Sequence, residues 1–179
     1  MFAAPAMIAV TPALASLFVA YDLPMQVEQS GLIITATAGG SRVELRDKVP
    51  YTYTDLVVES CLKGDHAPGD TVTLRQRGGD VGQWSLWAQG DPKLEKGGRY
   101  VLFLLPSQGQ FVLSGMAQGL ARITVKDRVA YAENPLVISR YLPREGRVTQ
   151  GRVLAPTPLA DYLAEVARLV ALGARGESK

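Results

Sequence analysis

The chain of 179 residues has one cysteine, Cys61, and one histidine, His66. A single thiol excludes any intrachain disulfide and any thiolate set for zinc or an iron–sulfur cluster. A single imidazole removes every mechanism or metal site that needs two. No run is dense enough in Asp and Asn for a calcium loop, so no metal and no cofactor is indicated, and a carboxylate-only site is merely formally open. Excess charge is scarce as well: Lys plus Arg number 19 against 17 Asp plus Glu, a net +2. Without a concentrated patch, that is too little to imply a nucleic-acid or membrane partner.

What is present is ordinary globular material, 47% hydrophobic and 20% charged, enough for one domain with its own core. Met1–Ala20 carries no charge and is mostly apolar. It reads as an export signal, with Ala13-Leu14-Ala15 offering the small residues a signal peptidase accepts. No Lys or Arg precedes the apolar run, and Pro5 and Pro12 interrupt it, so an N-terminal strand or disordered tail is the alternative. A membrane anchor is disfavoured because spanning takes about 20 uninterrupted apolar residues and Pro12 lies in the middle. The expected organisation is a signal or tail over 1–20, one domain over 21–173 and a loose tail over 174–179.

Asp22–Ser30 suggests a short helix, with Pro24 suited to its first helical position. Leu32–Thr37 reads as a strand continued or answered by Arg42–Leu45 across Gly39-Gly40, a pair that signals a bulge or bend. Thr52–Leu62, Thr71–Arg77 and Tyr100–Leu105 are rich in β-branched and aromatic residues and separated by Gly, Pro and Asp clusters. Alternation puts Thr52, Thr54, Leu56 and Val58 inward and Tyr51, Tyr53, Asp55, Val57 and Glu59 outward; Val72 and Leu74 point inward, Arg75 and Arg77 outward. The continuous run Tyr100–Leu105 suits a strand covered on both faces. Gln110–Ser114 and Leu120–Val125 follow as strands, and Lys126-Asp127-Arg128 is a hairpin turn into Val129–Ala132. Asn134–Pro156, with its scattered arginines, reads as a surface excursion. Pro158–Leu172 is an amphipathic helix with Thr157 as N-cap, Gly173 as C′ and Leu159, Leu163, Val166 and Val170 on the buried face. The fold class is therefore mainly β: a small antiparallel barrel with a short N-terminal helix and a C-terminal helix packed on it.

Candidate chemistry is thin. His66 sits in a polar GDHAPGD turn, where a solvated loop residue outweighs a triad with Ser60 or Ser85. Cys61 lies in a strand, the setting of a buried, inert thiol. Gly78-Gly79-Asp80-Val81-Gly82 and Gly97-Gly98 are turns and not a phosphate loop, since no strand-to-helix step or GK[ST] accompanies them. No catalytic residue is assigned. Gly78–Gly98 is the longest irregular stretch and holds Trp84 and Trp87, and loops of that length are usually functional or carry short structure of their own. Gln83, Trp84, Leu86 and Trp87 are thus candidate partner contacts, against a plain role in covering the barrel end. Tyr51, Tyr53, Arg75 and Arg77 could together present stacking rings and cations to single-stranded nucleic acid, but Asp55 and Glu59 share their face.

The order VVESCLKG, PGDTVTLRQRGGDVG, GDPKLEKGGRYVLFL and FVLSGMAQGLARI resembles a group of uncharacterised bacterial exported domains. These are similar to OB-fold barrels of the tissue-inhibitor-of-metalloproteinase and netrin-module type. The likeness covers about residues 23–130 and lies in turns, so it implies fold more than function. Inhibitors of that type act through an N-terminal cysteine and disulfides, which this chain lacks; no functional residue transfers. The resulting expectation is a non-enzymatic periplasmic or secreted module that binds a protein partner, with an OB-type nucleic-acid binder and an enzyme of unrecognised class as rivals. Oligomeric state is left open.

Overall fold

The computed structural model describes residues 18–19, 21–87, 91–134, 140–142, 147–149 and 155–176. Its first helix, α1 (Leu23–Gln29), is capped by Asp22, whose Oδ1 accepts from the Met25 amide at 2.9 Å. Pro24 is tolerated because amides in the first turn have no helical acceptor. At the far end, Lys63 Nζ donates to the carbonyls of Val27 and Glu28 at 2.8 and 3.3 Å, placing a cation on the negative end of the helix.

Among the described residues one strand precedes this helix and eleven follow it: β1 (Phe18–Val19), β2 (Leu32–Arg46), β3 (Val49–Lys63), β4 (Thr71–Val81), β5 (Trp84–Trp87), β6 (Arg99–Ser107), β7 (Gln110–Leu113), β8 (Leu120–Lys126), β9 (Val129–Glu133), β10 (Arg140–Leu142), β11 (Arg147–Thr149) and β12 (Thr157–Pro158). Strands β2 and β3 are 15 residues each. Their register shifts between Ala38 and Ser41, at the Gly39-Gly40 pair where a bend is expected. β2 pairs with β3 and β6, β3 with β4, and β6 with β7, all antiparallel. A parallel bridge between Leu74 of β4 and Phe111 of β7 completes a ring of five strands in the order β2-β3-β4-β7-β6. From β6 the sheet continues to β8, β9 and β12, and from β4 to β5. The β8–β9 turn falls at Asp127-Arg128, both left-handed with φ of 49° and 65°, the two-residue form that matches strand twist.

Two apolar layers share the ring wall. Leu32, Ile34, Ala36, Leu56, Val58, Val72, Leu74, Leu102 and Leu104 fill the interior. Ile33, Val101, Phe103, Ala121 and Ile123 face outward and are covered by Val27 of α1 and by Val166, Leu159, Leu163 and Val170 of α2 (Leu159–Gly176). Strand β6 is buried on both sides: Val101, Leu102, Phe103 and Leu104 are each 0% exposed. This accounts for a run of apolar residues without alternation.

The C-terminal helix departs from expectation at both ends. Thr157-Pro158 pairs with Ala132 and Tyr131 as β12, so the helix starts one residue later than anticipated. It continues through Gly173 to Gly176. A Cβ at Gly173 would meet nothing within 4 Å, and an exposed glycine costs a helix only about 1 kcal/mol; it does not by itself end one. Residues 174–176 are therefore helix and not tail.

The segment Gly78–Gly98 is also not one long loop, since β4 runs through Gly78 to Val81 and returns as β5. The Met1–Ala20 and Asn134–Pro156 expectations lie mostly outside the described residues. Within them, β1 pairs parallel with β10, and β10 antiparallel with β11. No helix among the described residues is long and apolar enough to cross a membrane.

Candidate functional site

Strand β4 leaves the ring through two glycines with φ of 119° and 155° at Gly78 and Gly79. Thr52 Oγ1 donates to the Gly78 carbonyl at 2.7 Å. A Cβ built on Gly79 would lie 2.7 Å from Val43 Cγ1 and 2.9 Å from Thr52 Oγ1, so this backbone rests directly on the β2–β3 hairpin. Gly82, at φ 57°, then turns the chain, and Val81, Asp80, Gly79 and Gly78 pair with Trp84, Ser85, Leu86 and Trp87 in turn.

Alternation divides this hairpin into two faces. On one, the Asp80 carboxylate accepts from Ser85 Oγ at 2.6 Å and from Trp87 Nε1 at 3.2 Å. Lys93 Nζ lies 3.7 Å from Asp80 Oδ2 and 4.5 Å from the Trp87 ring centroid. The Ser85 and Trp87 hydrogen bonds, and then Lys93, hold the Asp80 carboxyl below its ordinary range. Trp87 is thus half-buried and pinned, with a cation on one ring face. On the other face Leu86 is 54% exposed; Val43, against which Gly79 rests, is 38% exposed, and Leu45, two residues along β2, is 60% exposed. Gln83 is exposed in the turn. Trp84 contributes its backbone to β5, and its side chain lies outside the described residues. Below, Gln76 Nε2 donates to the Pro92 carbonyl at 2.9 Å and Leu94 packs on the interior core, so the segment after the hairpin fills this end of the ring.

The second candidate surface is the outer face of β2, β3 and β4. The register brings Tyr51 opposite Arg77 and Tyr53 opposite Arg75. Tyr53, expected on a solvated face, is instead 0% exposed. The Arg42 and Arg46 guanidinium carbons stand 5.0 and 5.5 Å from its ring centroid. Glu44 lies between these cations, 3.1 Å from Arg42 Nε and 3.7 Å from Arg46 Nη2, and Asp55 is 3.8 Å from Arg42. Arg75 stands 5.8 Å from the Tyr51 centroid and donates to Gln108 Oε1 and Ser107 Oγ at 2.8 and 2.9 Å. Arg77 is exposed. Of the four residues, one is covered and one is tied to the β6–β7 turn.

His66 is not the freely solvated loop residue anticipated: its ring meets Phe111 edge-on at 5.8 Å, and its Nδ1 is buried without a protein partner. Ser60 and Ser85 hydrogen-bond elsewhere, Ser60 to Thr35 and Ser85 to Asp80. Cys61 is half-buried, with Sγ 3.3 Å from the Lys63 carbonyl. No group of three or more His, Cys, Asp or Glu among the described residues could hold a metal ion.

One ion pair offers a pH handle on the ring itself. Arg99 grips Glu59 at 2.6–3.1 Å, and Thr37 Oγ1 donates to Glu59 Oε1 at 2.6 Å. The Arg99 hydrogen bonds first, then that of Thr37, hold the Glu59 carboxyl below its ordinary 4.5, with partial burial opposing them. The folded chain binds this proton more weakly than the unfolded chain does. Its stabilisation is therefore present above the ordinary value and is lost as pH falls through the depressed one. Glu59→Gln is expected to flatten the acid limb of a plot of urea midpoint against pH, by less than about 1 kcal/mol because the pair is partly exposed. Identical acid limbs in the two proteins would refute this.

Sequence reasoning singled out the tryptophans but missed the groups that hold one of them, Asp80 and Lys93, and the apolar neighbours Val43 and Leu45. The available signal was the D-V-G-Q-W-S-L-W pattern, which places a glycine turn between two short alternating runs. Compared with protein-family models and with curated proteins, the chain matches none.

Proposed function

We propose that this protein is a non-enzymatic binding or accessory module that acts on a protein partner through the β4–β5 hairpin. The observation that carries the proposal is a hairpin pinned by Asp80 and Lys93 that holds Leu86 in solvent, with its Gly79 backbone seated on Val43. Exposed apolar groups on a preorganised element lose little entropy on docking. The ring order, with its one parallel closure between β4 and β7, supports an OB-type, inhibitor-like kinship, since OB-folds are small five-stranded barrels. The uncharged apolar stretch Met1–Ala20 supports a periplasmic or secreted location.

The nucleic-acid alternative is weakened by a Tyr53 ring beneath two arginines and by the carboxylates that match those cations. Immobilised protein is expected to capture a partner from the native envelope fraction. Leu86→Asp, and the pair Trp84→Ala with Trp87→Ala, should each lower that capture at least about tenfold, with circular dichroism unchanged for Leu86→Asp. Undiminished capture by the Leu86 variant would dismiss the hairpin.

A further inference from the structure

We propose that the partner docks as an added β-strand on the open edge of β5; this rests on the hairpin being the contact surface. In a hairpin closed by a two-residue turn, the residues flanking the turn exchange both main-chain hydrogen bonds and the next pair points its groups away. Val81↔Trp84 is the flanking pair, so Ser85 and Trp87 aim their N–H and C=O groups outward. Among the described residues, β5 pairs with β4 alone. Two donors and two acceptors thus stand in a row at the two-residue spacing of an extended chain, about 6.8 Å. The main chain of a strand matches that row group for group.

Exposed edges are usually guarded by lysine, proline or inward charge. The Trp84-Ser85-Leu86-Trp87 run contains none of these. At the opposite end of the sheet, by contrast, the terminal strand β12 contains Pro158.

The side chains define the strand that fits. On the face of Leu86, Val43 and Leu45, the incoming residues are apolar. On the face of Asp80, Ser85, Trp87 and Lys93, where the two charges offset one another and the indole is held by Asp80 and covered by Lys93, they are uncharged, and polar where they meet Asp80 and Ser85. The occupant is therefore an uncharged extended segment of at least four residues with alternating apolar and polar side chains. This is strand addition, in which main-chain bonds give affinity and alternate side chains give selectivity.

The test pans the full-length protein against a displayed random heptapeptide library and measures synthetic versions of the selected peptides by fluorescence anisotropy. Ser85→Pro removes one outward donor at an edge position where proline fits, and Ser85→Ala controls for loss of the hydroxyl. Peptides are expected to show alternating apolar residues, and Ser85→Ala, which already lacks the hydroxyl's bond to Asp80, is the reference from which the proline variant is read. Against Ser85→Pro they should lose about tenfold or more, the equivalent of one main-chain hydrogen bond.

A second measurement does not depend on the variant folding. N-methylation of the peptide residues in one alternate register should abolish binding, and in the other leave it unchanged. Binding that ignores both N-methylation registers yet is lost with Leu86→Asp overturns strand addition and leaves the hairpin as contact surface. Binding that also ignores Leu86→Asp overturns both. A library that yields no peptide at this edge overturns the inference, as does a concentration-dependent dimer that Ser85→Pro dissolves, since the edge would then pair with its own copy.

Discussion

Phe103→Ala is expected to destabilise the protein by about 3–5 kcal/mol and Leu102→Ala by about 2–5 kcal/mol, although the two residues are neighbours with side chains in different layers. Phe103 sits in the layer between the outer wall of the ring and the two helices, and Leu102 in the interior; both are 0% exposed. Against a typical domain stability of about 5–15 kcal/mol, either loss is a large fraction. Their distributions should differ. Removing the Phe103 ring withdraws support from Val27 and Val166, so amides of α1 and α2 should exchange with deuterium first, whereas Leu102→Ala should weaken the five-stranded ring as a whole. Urea titration with residue-resolved hydrogen exchange checks both. A Phe103→Ala cost below about 1 kcal/mol would mean that the helix layer is not part of the cooperative core.

The second large effect is expected at Gly78. Its φ is 119°, and a Cβ there would lie 2.5 Å from the Leu86 carbonyl oxygen and 2.9 Å from the Trp87 Cα. Both obstacles are backbone atoms of the paired strand and cannot swing aside. Left-handed strain costs about 1–3 kcal/mol and overpacking about as much, so Gly78→Ala should cost about 3 kcal/mol, concentrated in the β4–β5 hairpin. Loss of the Trp87 Nε1 hydrogen bond to Asp80 would appear as a shifted indole resonance and a red-shifted emission. The wall residues Ile33, Val101 and Phe103 should keep their amide protection. An alanine variant with native Trp87 signals would show that the hairpin tolerates another path at this glycine.

Much of the fold is legible along the chain because it depends on near neighbours. The alternation of Val72 and Leu74 with Arg75 and Arg77, the unbroken apolar run of β6 and the turn at Asp127-Arg128 each follow from local pattern and backbone preference. The 3.6-residue spacing of Leu159, Leu163, Val166 and Val170 likewise marks the buried face of α2. Period alone, however, does not give the burial of Tyr53. Its position in the alternation points it outward as expected, but what covers it are arginines from β2, and no local rule encodes reach across a strand. The hairpin was obscured for a similar reason, since two consecutive glycines read as a loop until their backbone is seen resting on Val43 and Thr52.

The sequence by itself determined most of the segments that extend or coil and the turn at Asp127-Arg128, but not the β4–β5 hairpin or the end of α2, because local choices are set by side-chain branching, glycine and proline within a few residues. Only the tertiary structure decided that β4 and β7 meet to close the ring, that one wall carries apolar layers on both sides, and that, among the described residues, β5 pairs with β4 alone. Such outcomes depend on contacts between residues tens of positions apart, where the free energy of burial, and not local preference, selects the partner.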